Sequence, residues 1–397
     1  MSVVWFQLSK REPEFTQELS KCRFHARIAL SKIPVNKGKM PENKEKIAVL
    51  VSGGVDSSVS LALLKEAGHD VTAYYMKIWL EDELQFLGEC PWEEDLEYVR
   101  AVCEQLQVEL HIVPFQKEYW ERVVSYTIDE VKNGRTPNPD MLCNARVKFG
   151  AFYEYLEKSG EHFDKIATGH YAQTEEADGL TRLKMSPDPI KDQTYFLSQL
   201  SQAQISKALF PIGGYPKEEV RRLAEKFQLP NAKRKDSQGI CFLGKIPFDE
   251  FVKFHLGVRS GKLIEEGTGK ILGEHEGFWY YTIGQRKGIR LSGGPWYVTG
   301  KDTEKNEVYL AHGDVYTNEA TDTFTVSSLN WISGSVPRKT DLQVKVRHGE
   351  KLYQAQFNWL SDDEVGVQLD SKDQGIASGQ FAVFYDGDYC LGGGVIN

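Results

Sequence analysis

The stretch KIAVLVSGGVDSSV, residues 46–59, decides the fold of the region around it. An apolar run from Ile47 to Val51 is typical of a buried strand, and apolar positions resume at Val59 as they do in a helix. Two glycines, an aspartate and three serines stand between the two runs. Glycines let the backbone approach an anion closely, and a helix N-terminus adds a partial positive charge. The stretch therefore predicts a phosphate-binding loop, and a plain glycine turn capped by Asp56 is the alternative interpretation.

The type of loop is less common than the two best-known phosphate-binding motifs. Neither GxxxxGK[ST] nor GxGxxG occurs in the stretch. Ser52, Ser57 and Ser58 can donate hydrogen bonds to a phosphate chain, and Asp56 can cap the helix or help to hold a metal ion. The loop is thus suited to a phosphate chain held mainly by backbone and hydroxyl groups.

Outward from this loop, strand-like and helix-like segments alternate from residue 46 to about 205. Such alternation predicts a parallel sheet with helices on both faces, which binds ligands beyond the carboxyl ends of its strands. We predict an α/β fold with four parts. They are a poorly ordered extension (1–45), a Rossmann-like parallel-sheet domain (46–205), a small α-rich central module (206–278) and a C-terminal all-β, barrel-like domain (279–397).

Three segments of the central module read as helices, namely ISKALF, KEEVRRLAEKFQL and FDEFVKFHLG. In the last part we expect short strands, from WYYTIG through PWYVTGKD to QFAVFYDG. Residues 1–45 could be a targeting sequence, since six basic residues and no acidic one lie between Lys21 and Lys39. Glu12, Glu14 and Glu18 argue against this, and Met40 is another candidate for the natural start.

Composition excludes several classes of protein. The net charge of −9 does not fit a protein that simply coats nucleic acid, so an RNA partner would need a local basic patch. No apolar run approaches the roughly 20 residues of a membrane-spanning helix. None of the six cysteines forms a CxxC pair, which disfavours a structural zinc site and predicts reduced thiols that are mostly buried.

Two cysteines lie in unusual surroundings. Cys143 ends the turn-rich stretch GRTPNPDMLCN (134–144), for which neither helix nor strand is expected, and stands near the start of a helix that would favour its thiolate. Cys241 lies in KDSQGICFLGK (235–245), close to Lys233, Arg234 and Lys235. Taken alone, each could equally be a buried loop cysteine. The basic run 233–235 and the run GQRKGIR (284–290) could contact RNA phosphates or form ordinary solvated surface.

Together these stretches resemble the tRNA-specific 2-thiouridylase family of the ATP-pyrophosphatase (PP-loop) superfamily. The resemblance extends over about residues 46–397. Its motifs are SGGVDSSV, YMKIW, GRTPNPDMLCN, KFGAF, ATGHYA, KDQTYFL, KDSQGICFLGK, TIGQRKG, PWYV and CLGGGVI. It implies a tRNA uridine 2-sulfurtransferase that adenylates the C2 oxygen of the wobble uridine and transfers sulfur from a cysteine persulfide.

The resemblance also implies the roles of individual residues. Cys143 would be the catalytic nucleophile, Cys241 would carry the persulfide and form a transient disulfide with Cys143, and Asp140 would act as a general acid/base or orient the base. The implied ATP-binding residues are Leu50, Val51, Ser52, Gly53, Gly54, Val55, Asp56, Ser57, Met76 and Gly169. The implied tRNA-binding residues are Asn138, Pro139, Asp140, His170, Lys191, Asp192, Gln193, Arg347, His348 and Gln380. Many bacterial members have Arg-Tyr where this chain has Arg347-His348.

ATP and Mg²⁺ are the implied cofactors. The implied partners are a tRNA, with the lysine, glutamate and glutamine acceptors suggested, and a sulfur-donor protein. We expect a monomer without a membrane association, in the cytoplasm or alternatively in a plastid or mitochondrion. Two other functions stay open at this point. One is an amide-forming ATP-pyrophosphatase synthetase, which would need neither cysteine, and the other is a tRNA-binding or sulfur-carrying protein without catalysis.

Overall fold

The computed structural model describes residues 44–78, 92–236, 247–316, 321–361 and 363–397. Within these ranges the chain forms three sheets. The first is a five-stranded parallel sheet with the order β3-β2-β1-β4-β7. Its strands are β1 (Lys46–Leu50), β2 (Asp70–Lys77), β3 (Leu110–Pro114), β4 (Lys165–Ala167) and β7 (Ala208–Leu209). The predicted Rossmann-like parallel sheet is confirmed.

Helices connect these strands and cover both faces of the sheet. Helix α1 (Val55–Glu66) follows β1, and α2 (Trp92–Leu106) precedes β3. Helix α3 is continuous through the segments Gln116–Tyr119, Trp120–Val124 and Ser125–Lys132, of which the middle one is π-helical. Helix α4 runs in the same way through Pro139–Leu142, Cys143–Ala151 and Phe152–Ser159. Apolar side chains of the sheet and helices form two buried clusters, one on each side of it.

The start of α4 corrects one prediction. Neither helix nor strand was expected for GRTPNPDMLCN, yet Pro139 begins the first turn of α4 and Cys143 lies inside the helix. Proline is well suited to a first helical position, because its fixed φ matches the helix and its missing N–H would have no partner there.

Two further segments differ from the expected elements. Two short helices, α5 (Thr194–Leu197) and α6 (Gln202–Ile205), precede strand β7. ISKALF is not a helix, because α6 ends at its first residue and β7 follows. Strand β7 completes the edge of the parallel sheet beside β4, where Thr168 N donates to Leu209 O at 3.0 Å. WYYTIG is not a strand, since its first residues lie in the 3₁₀ turn Phe278–Tyr280.

The central region contains the two predicted helices α7 (Lys217–Lys226) and α8 (Phe248–Leu256). It also contributes strands β8 (Gly261–Glu265) and β9 (Ile271–His275). These pair with β10 (Trp296–Asp302) and β11 (Glu307–His312) in a four-stranded sheet of order β10-β11-β8-β9. The sheet therefore combines segments from before and after residue 278, and the domain boundaries themselves remain a prediction.

A closed barrel of six strands forms the C-terminal part, as predicted. Its strands are β12 (Thr321–Trp331), β13 (Asp341–Lys345), β14 (Tyr353–Trp359), β15 (Glu364–Asp373), β16 (Phe381–Asp386) and β17 (Tyr389–Ile396). The hairpin of β5 (Ala172–Ala177) and β6 (Leu180–Met185), which no sequence pattern predicted, joins this sheet because β6 pairs with β17. The barrel and the α/β part are thus joined through one sheet.

Candidate active site

The predicted ATP-binding residues meet at one edge of the parallel sheet. Strand β1 lies between β2 and β4, with Leu50 opposite Tyr74 and Val49 opposite Ala167. Because all three strands run in the same direction, Met76 near the end of β2, the loop after β1 and Gly169 just after β4 lie at the same edge. This is the edge at which open α/β sheets bind ligands.

The loop after β1 has the geometry of an anion-binding turn. Gly53 has a φ of +78°, which favours glycine, and Gly54 is the N-cap of α1, where no described side chain supplies a cap hydrogen bond. Ser57 Oγ donates to Gly54 O at 3.1 Å and accepts from Ser52 N at 3.2 Å. The alternative of a turn capped by Asp56 is wrong, and the first turn of α1 keeps its backbone N–H groups directed at the loop.

Gly169 is needed because two backbone segments come very close together. A Cβ atom added at Gly169 would lie 2.7 Å from Ser57 N and 2.8 Å from the carbonyl carbon of Asp56. Only a residue without a side chain lets the chain after β4 pass over the first turn of α1. The glycine thereby shapes the floor of the loop.

The carboxylate of Asp56 faces a cluster of ionic groups. It accepts from Tyr171 Oη at 2.9 Å and from Lys217 Nζ at 2.8 Å. Lys217 also pairs with Asp236 at 2.8 Å, and Lys191 and Arg221 pair with the same carboxylate. Burial opposes ionisation of Asp236, but its hydrogen bonds to Lys217 and Lys191 prevail and lower its pKa to about 2. We call Asp56, Lys217, Asp236, Lys191 and Arg221 the ionic cluster.

The predicted nucleophile lies at the start of α4. Asn138 is the N-cap, Pro139 and Asp140 form the first turn, and Cys143 follows one turn later. The Cys143 side chain is only 1% exposed, among buried side chains such as Met141 and Leu142. Cys241, the predicted persulfide carrier, lies outside the described residues, so its predicted disulfide with Cys143 stays a prediction.

The C-terminal barrel packs against the loop that leads into α4. Gln380 Nε2 donates to Thr136 O at 2.9 Å, and Thr136 N donates to Ser378 O at 2.8 Å. A Cβ added at Gly379 would lie 2.8 Å from Thr136 N, so the two backbones are in close contact. Gln380 thus lies beside the PNPD stretch, although 244 positions separate it from Thr136 in the sequence.

Residues 191–193, which we call the KDQ segment, are fixed by hydrogen bonds and ion pairs from several other segments. Asp192 is buried, and its carboxylate accepts from Lys345 Nζ at 3.1 Å, Thr194 Oγ1 at 2.8 Å and Ser186 N at 3.1 Å. Gln193 Oε1 accepts from Tyr171 N at 2.9 Å. The side chain of Asp192 therefore holds the fold together in this conformation, and its predicted tRNA contact stays a prediction, as do those of Lys191 and Gln193.

Arg347 and His348 lie just beyond strand β13, next to the KDQ segment. His348 Nε2 is 3.1 Å from Asp192 O, and its ring stacks on Phe196 with centroids 4.6 Å apart. Burial is the main cause of its lowered pKa. Arg347 pairs with Asp373, while about half of its side chain is exposed. The histidine thus stacks on an aromatic neighbour while the residue stays exposed, and the arginine beside it presents its charge to solvent.

The other predicted contact, His170, is buried after β4. Its Nδ1 lies 2.7 Å from Thr168 Oγ1, and burial followed by the nearby Lys148 ammonium holds its pKa well below its usual range. The ring is therefore neutral at pH 7. A direct ionic contact with RNA is not available to it in this conformation.

Of the remaining cysteines, Cys103 and Cys390 belong to the core. Both are buried, and burial raises the pKa of Cys103 to about 11 and that of Cys390 still further. Neither thiol would ionise at pH 7. The prediction of mostly buried thiols is confirmed for these two cysteines.

Neither a resident metal site nor a membrane span is evident in the described part of the chain. No group of three or more His, Cys, Asp or Glu residues there could hold a metal ion. No helix in the same ranges has the length and apolar character needed to cross a bilayer.

Sequence reasoning missed several residues whose hydrogen bonds and ion pairs fix the side chains of the site. Lys217 and Lys345 lie outside the motifs, and lysines are usually surface residues, whereas Tyr171 lies within ATGHYA but was given no role there. In LQVKV, Lys345 alternates with Leu342, Val344 and Val346, which face the barrel core, so it lies on the opposite face of the strand, where it is nevertheless buried. A buried lysine at such a position requires an acidic partner.

Comparisons with known proteins cover nearly all described residues. Residues 45–245 match the family described as tRNA methyl transferase HUP domain, residues 249–312 its PRC-barrel domain, and residues 321–396 an aminomethyltransferase beta-barrel domain. The chain is 48% identical over 357 residues to the tRNA-specific 2-thiouridylase MnmA of Parabacteroides distasonis, covering 88% of this chain and 98% of that protein. It is 45% identical to MnmA 1 of Bacteroides thetaiotaomicron, covering 88% and 99%, and 45% identical to MnmA of Porphyromonas gingivalis, covering 88% and 98%.

Proposed function

The chain belongs to the tRNA-specific 2-thiouridylase family, and on this premise we propose that it replaces the C2 oxygen of the wobble uridine of tRNA with sulfur. ATP is the activating substrate and is cleaved to AMP and pyrophosphate. One observation carries the proposal. The loop Ser52–Ser57, the end of β2 and Gly169 lie together at the ligand-binding edge of the parallel sheet, in a chain that also places Cys143 at the start of α4.

The first step activates a poor electrophile. The C2 oxygen of the uridine attacks the α-phosphorus of ATP, the bond to the β-phosphate oxygen breaks, and pyrophosphate leaves. Backbone N–H groups at Gly53, Gly54 and the start of α1 are placed to stabilise the charge that develops on the leaving pyrophosphate. The C2 oxygen, which alone would be a poor leaving group, thereby becomes part of AMP, which leaves more easily.

The second step delivers sulfur. We propose that the terminal sulfur of a Cys241 persulfide attacks C2 and displaces AMP, as the family resemblance implies. The Cys143 thiolate then attacks the Cys241 sulfur, the sulfur–sulfur bond breaks, and the electron pair stays on the sulfur that becomes the C2 thiocarbonyl. The two cysteines are left as a disulfide that an external thiol must reduce. Asp140, in the same helical turn as Pro139, would orient the base or move its proton.

Cys143 is shielded in the described conformation, since only 1% of it is exposed. Attack on a persulfide requires its sulfur to be reached, so we propose that binding of tRNA rearranges the start of α4. The exposed arginine at 347 and the PNPD stretch beside Gln380 form the side of the site from which the RNA would approach. The flipped wobble base would enter there.

Mg²⁺ is proposed to accompany the triphosphate, because phosphate oxygens and waters supply most of its ligands in such sites. Asp56 is the carboxylate within the loop, and it is the residue that would hold the cation. Lysine, glutamine and glutamate tRNAs as acceptors, a separate sulfur-donor protein and a monomeric state belong to the same proposal. The three relatives come from bacteria, which favours the cytoplasm over a plastid or mitochondrion.

The test is the formation of 2-thiouridine in unmodified tRNA supplied with ATP, Mg²⁺ and a persulfide source. Nucleoside digestion and mass spectrometry measure the product in wild type, Cys143→Ser and Cys241→Ser. We expect product in wild type and none in either variant, and Cys103→Ser serves as the control thiol with wild-type yield. Absence of product from wild type, together with pyrophosphate release on addition of an amine, would instead support the amide-forming synthetase.

A further inference from the structure

Asn231 and Arg234, which follow helix α7, both donate hydrogen bonds to one backbone atom of the pyrophosphate loop. Asn231 Nδ2 is 2.8 Å from Gly53 O, and Arg234 Nη1 is 3.0 Å from the same oxygen. Asn231 Nδ2 also lies 2.8 Å from Ser58 Oγ in the first turns of α1. Two side chains far from the loop in sequence therefore fix the orientation of a single peptide group.

Arg234 is turned inward although it lies in a run of basic residues. Its Nη2 pairs with Asp95, its guanidinium lies 4.8 Å from the centre of the Tyr98 ring, and 18% of its side chain is exposed. The two flanking lysines, 233 and 235, are exposed. The run thus has two different faces, and only the lysines are available to RNA phosphates.

The position of Gly53 explains why its carbonyl needs to be held. A phosphate chain is bound by N–H groups, and a carbonyl oxygen that turned toward the same space would repel the phosphate oxygens. Gly53 has a φ of +78°, where glycine has several accessible conformations. A Cβ added there would lie 2.6 Å from Asp95 O and 3.0 Å from Arg234 Nη1, so the partners are packed directly against the turn.

We propose that Asn231 and Arg234 are positioning residues that hold the Gly53 carbonyl away from the bound phosphates and so preorganise the loop for pyrophosphate. They act through the loop and not through contact with RNA. The inference rests on the proposed use of ATP at this loop. It deepens that function by assigning the segment after α7 to the nucleotide side of the site.

The charge of Arg234 strengthens the argument. A hydrogen bond from a guanidinium to a carbonyl is stronger than one between neutral groups, and its fork reaches two acceptors at once. A lysine at this position could reach only one of Gly53 O and Asp95. We therefore expect graded effects, with Arg234→Lys between wild type and Arg234→Ala.

The experiment measures binding of pyrophosphate and of AMP by titration calorimetry to the full chain. Arg234→Ala and Asn231→Asp are expected to weaken pyrophosphate binding about tenfold while AMP binding changes less than about twofold, and Arg234→Lys is expected to recover part of the loss. Arg222→Ala is the matched control, because Arg222 is 69% exposed and pairs with Glu219 on α7. It should bind both ligands as wild type does.

Affinity for tRNA separates the proposal from its competitors. Arg234→Ala should keep wild-type tRNA affinity, whereas Lys233→Ala should lose affinity in a salt-dependent way. Loss of tRNA affinity in Arg234→Ala with unchanged pyrophosphate binding would overturn the proposal. So would equal weakening of AMP and pyrophosphate, since that indicates a general structural defect.

If Arg234→Ala does not fold, Asn231→Asp still tests the proposal. Aspartate is nearly isosteric with asparagine, but it places an acceptor oxygen against the Gly53 carbonyl. Wild-type pyrophosphate binding by a folded Asn231→Asp would overturn the proposal. A wild-type protein that forms no 2-thiouridine, but whose variants lose pyrophosphate binding as expected, would contradict the proposed function and leave the positioning role intact.

Discussion

The two sides of the candidate active site are held by ion pairs of different kinds. On the nucleotide side, the ionic cluster around Lys217 is partly open to solvent, with side-chain exposures of 30% for Asp56 and 33% for Asp236. On the RNA side, Asp192 and Lys345 pair with neither side chain exposed. The open cluster can rearrange when phosphates arrive, whereas the buried pair fixes the KDQ segment to the barrel. The site thus combines an adaptable half with a rigid half.

The largest effect on stability is expected from Lys345→Met. This change leaves the Asp192 carboxylate buried without its counter-ion, and such a loss costs about 3–5 kcal/mol of unfolding free energy. Urea-induced unfolding measures it. The double variant Lys345→Met/Asp192→Asn should recover much of the loss, because no buried charge remains.

Lys191→Met is the control for that comparison. Lys191 pairs with Asp236 at the open cluster and is 38% exposed, so we expect a loss below about 1 kcal/mol. Equal losses from Lys345→Met and Lys191→Met would show that the contrast between the two halves is wrong.

A smaller effect is expected from Gly169→Ala. The added Cβ would meet the backbone of Ser57 at 2.7 Å, and overpacking of this kind costs about 1–3 kcal/mol or shifts the loop. The adaptable half should shift and so relieve part of the strain. We therefore expect the rise in the KM for ATP, expressed as a free energy, to exceed the fall in the unfolding free energy. Steady-state thiolation at varied ATP concentration checks this.

Gly300→Ala is the matched control, since the nearest atom to its added Cβ, in Tyr309, is at an ordinary 3.5 Å. It should leave the KM for ATP unchanged. A Gly169→Ala protein with wild-type ATP kinetics would show that the chain after β4 does not shape the loop.

The smallest effect concerns pH. Because the pKa of Asp236 falls from 3.8 to about 2 on folding, its stabilising contribution is fully present above pH 4 and is lost as the pH falls through about 2. After allowance for solvent screening the contribution is about 1 kcal/mol. Unfolding of wild type and Asp236→Asn between pH 5 and 2 should therefore converge at the acid end. A difference that stays constant over this range would contradict an ionised Asp236 in the cluster, and Asp370→Asn, at an exposed position, should show no difference at either end.

The nucleotide half was readable from the sequence because its parts are local. Strand, glycine turn and helix start follow one another within residues 46–59, whereas Met76 and Gly169 were named only by the family resemblance. The RNA half joins segments that lie far apart in sequence, as in the contact of Gln380 with Thr136. No pattern within one element encodes such a contact, so only the family resemblance named these residues.

The misjudged elements show the same limit. ISKALF has the apolar content of a short helix, but pairing with β4 makes part of it the edge strand β7. Pro139 was taken as a mark of a loop, although a proline at the first helical position is equally well accommodated. ISKALF is decided by a strand that the local sequence does not contain, whereas the Pro139 prediction failed because one local signal fits two conformations.

The pairing of β6 with β17 has a consequence for biosynthesis. Strand β6 is translated well before β17, which also closes the barrel against β12. At about 5–20 residues per second, the hairpin waits on the order of 10–40 s for its partner. Throughout that interval its outer edge is an unpaired strand edge of the kind that nascent chains use to associate with one another. Synthesis of β17, and not completion of the nucleotide-binding half, is therefore the event that covers this edge.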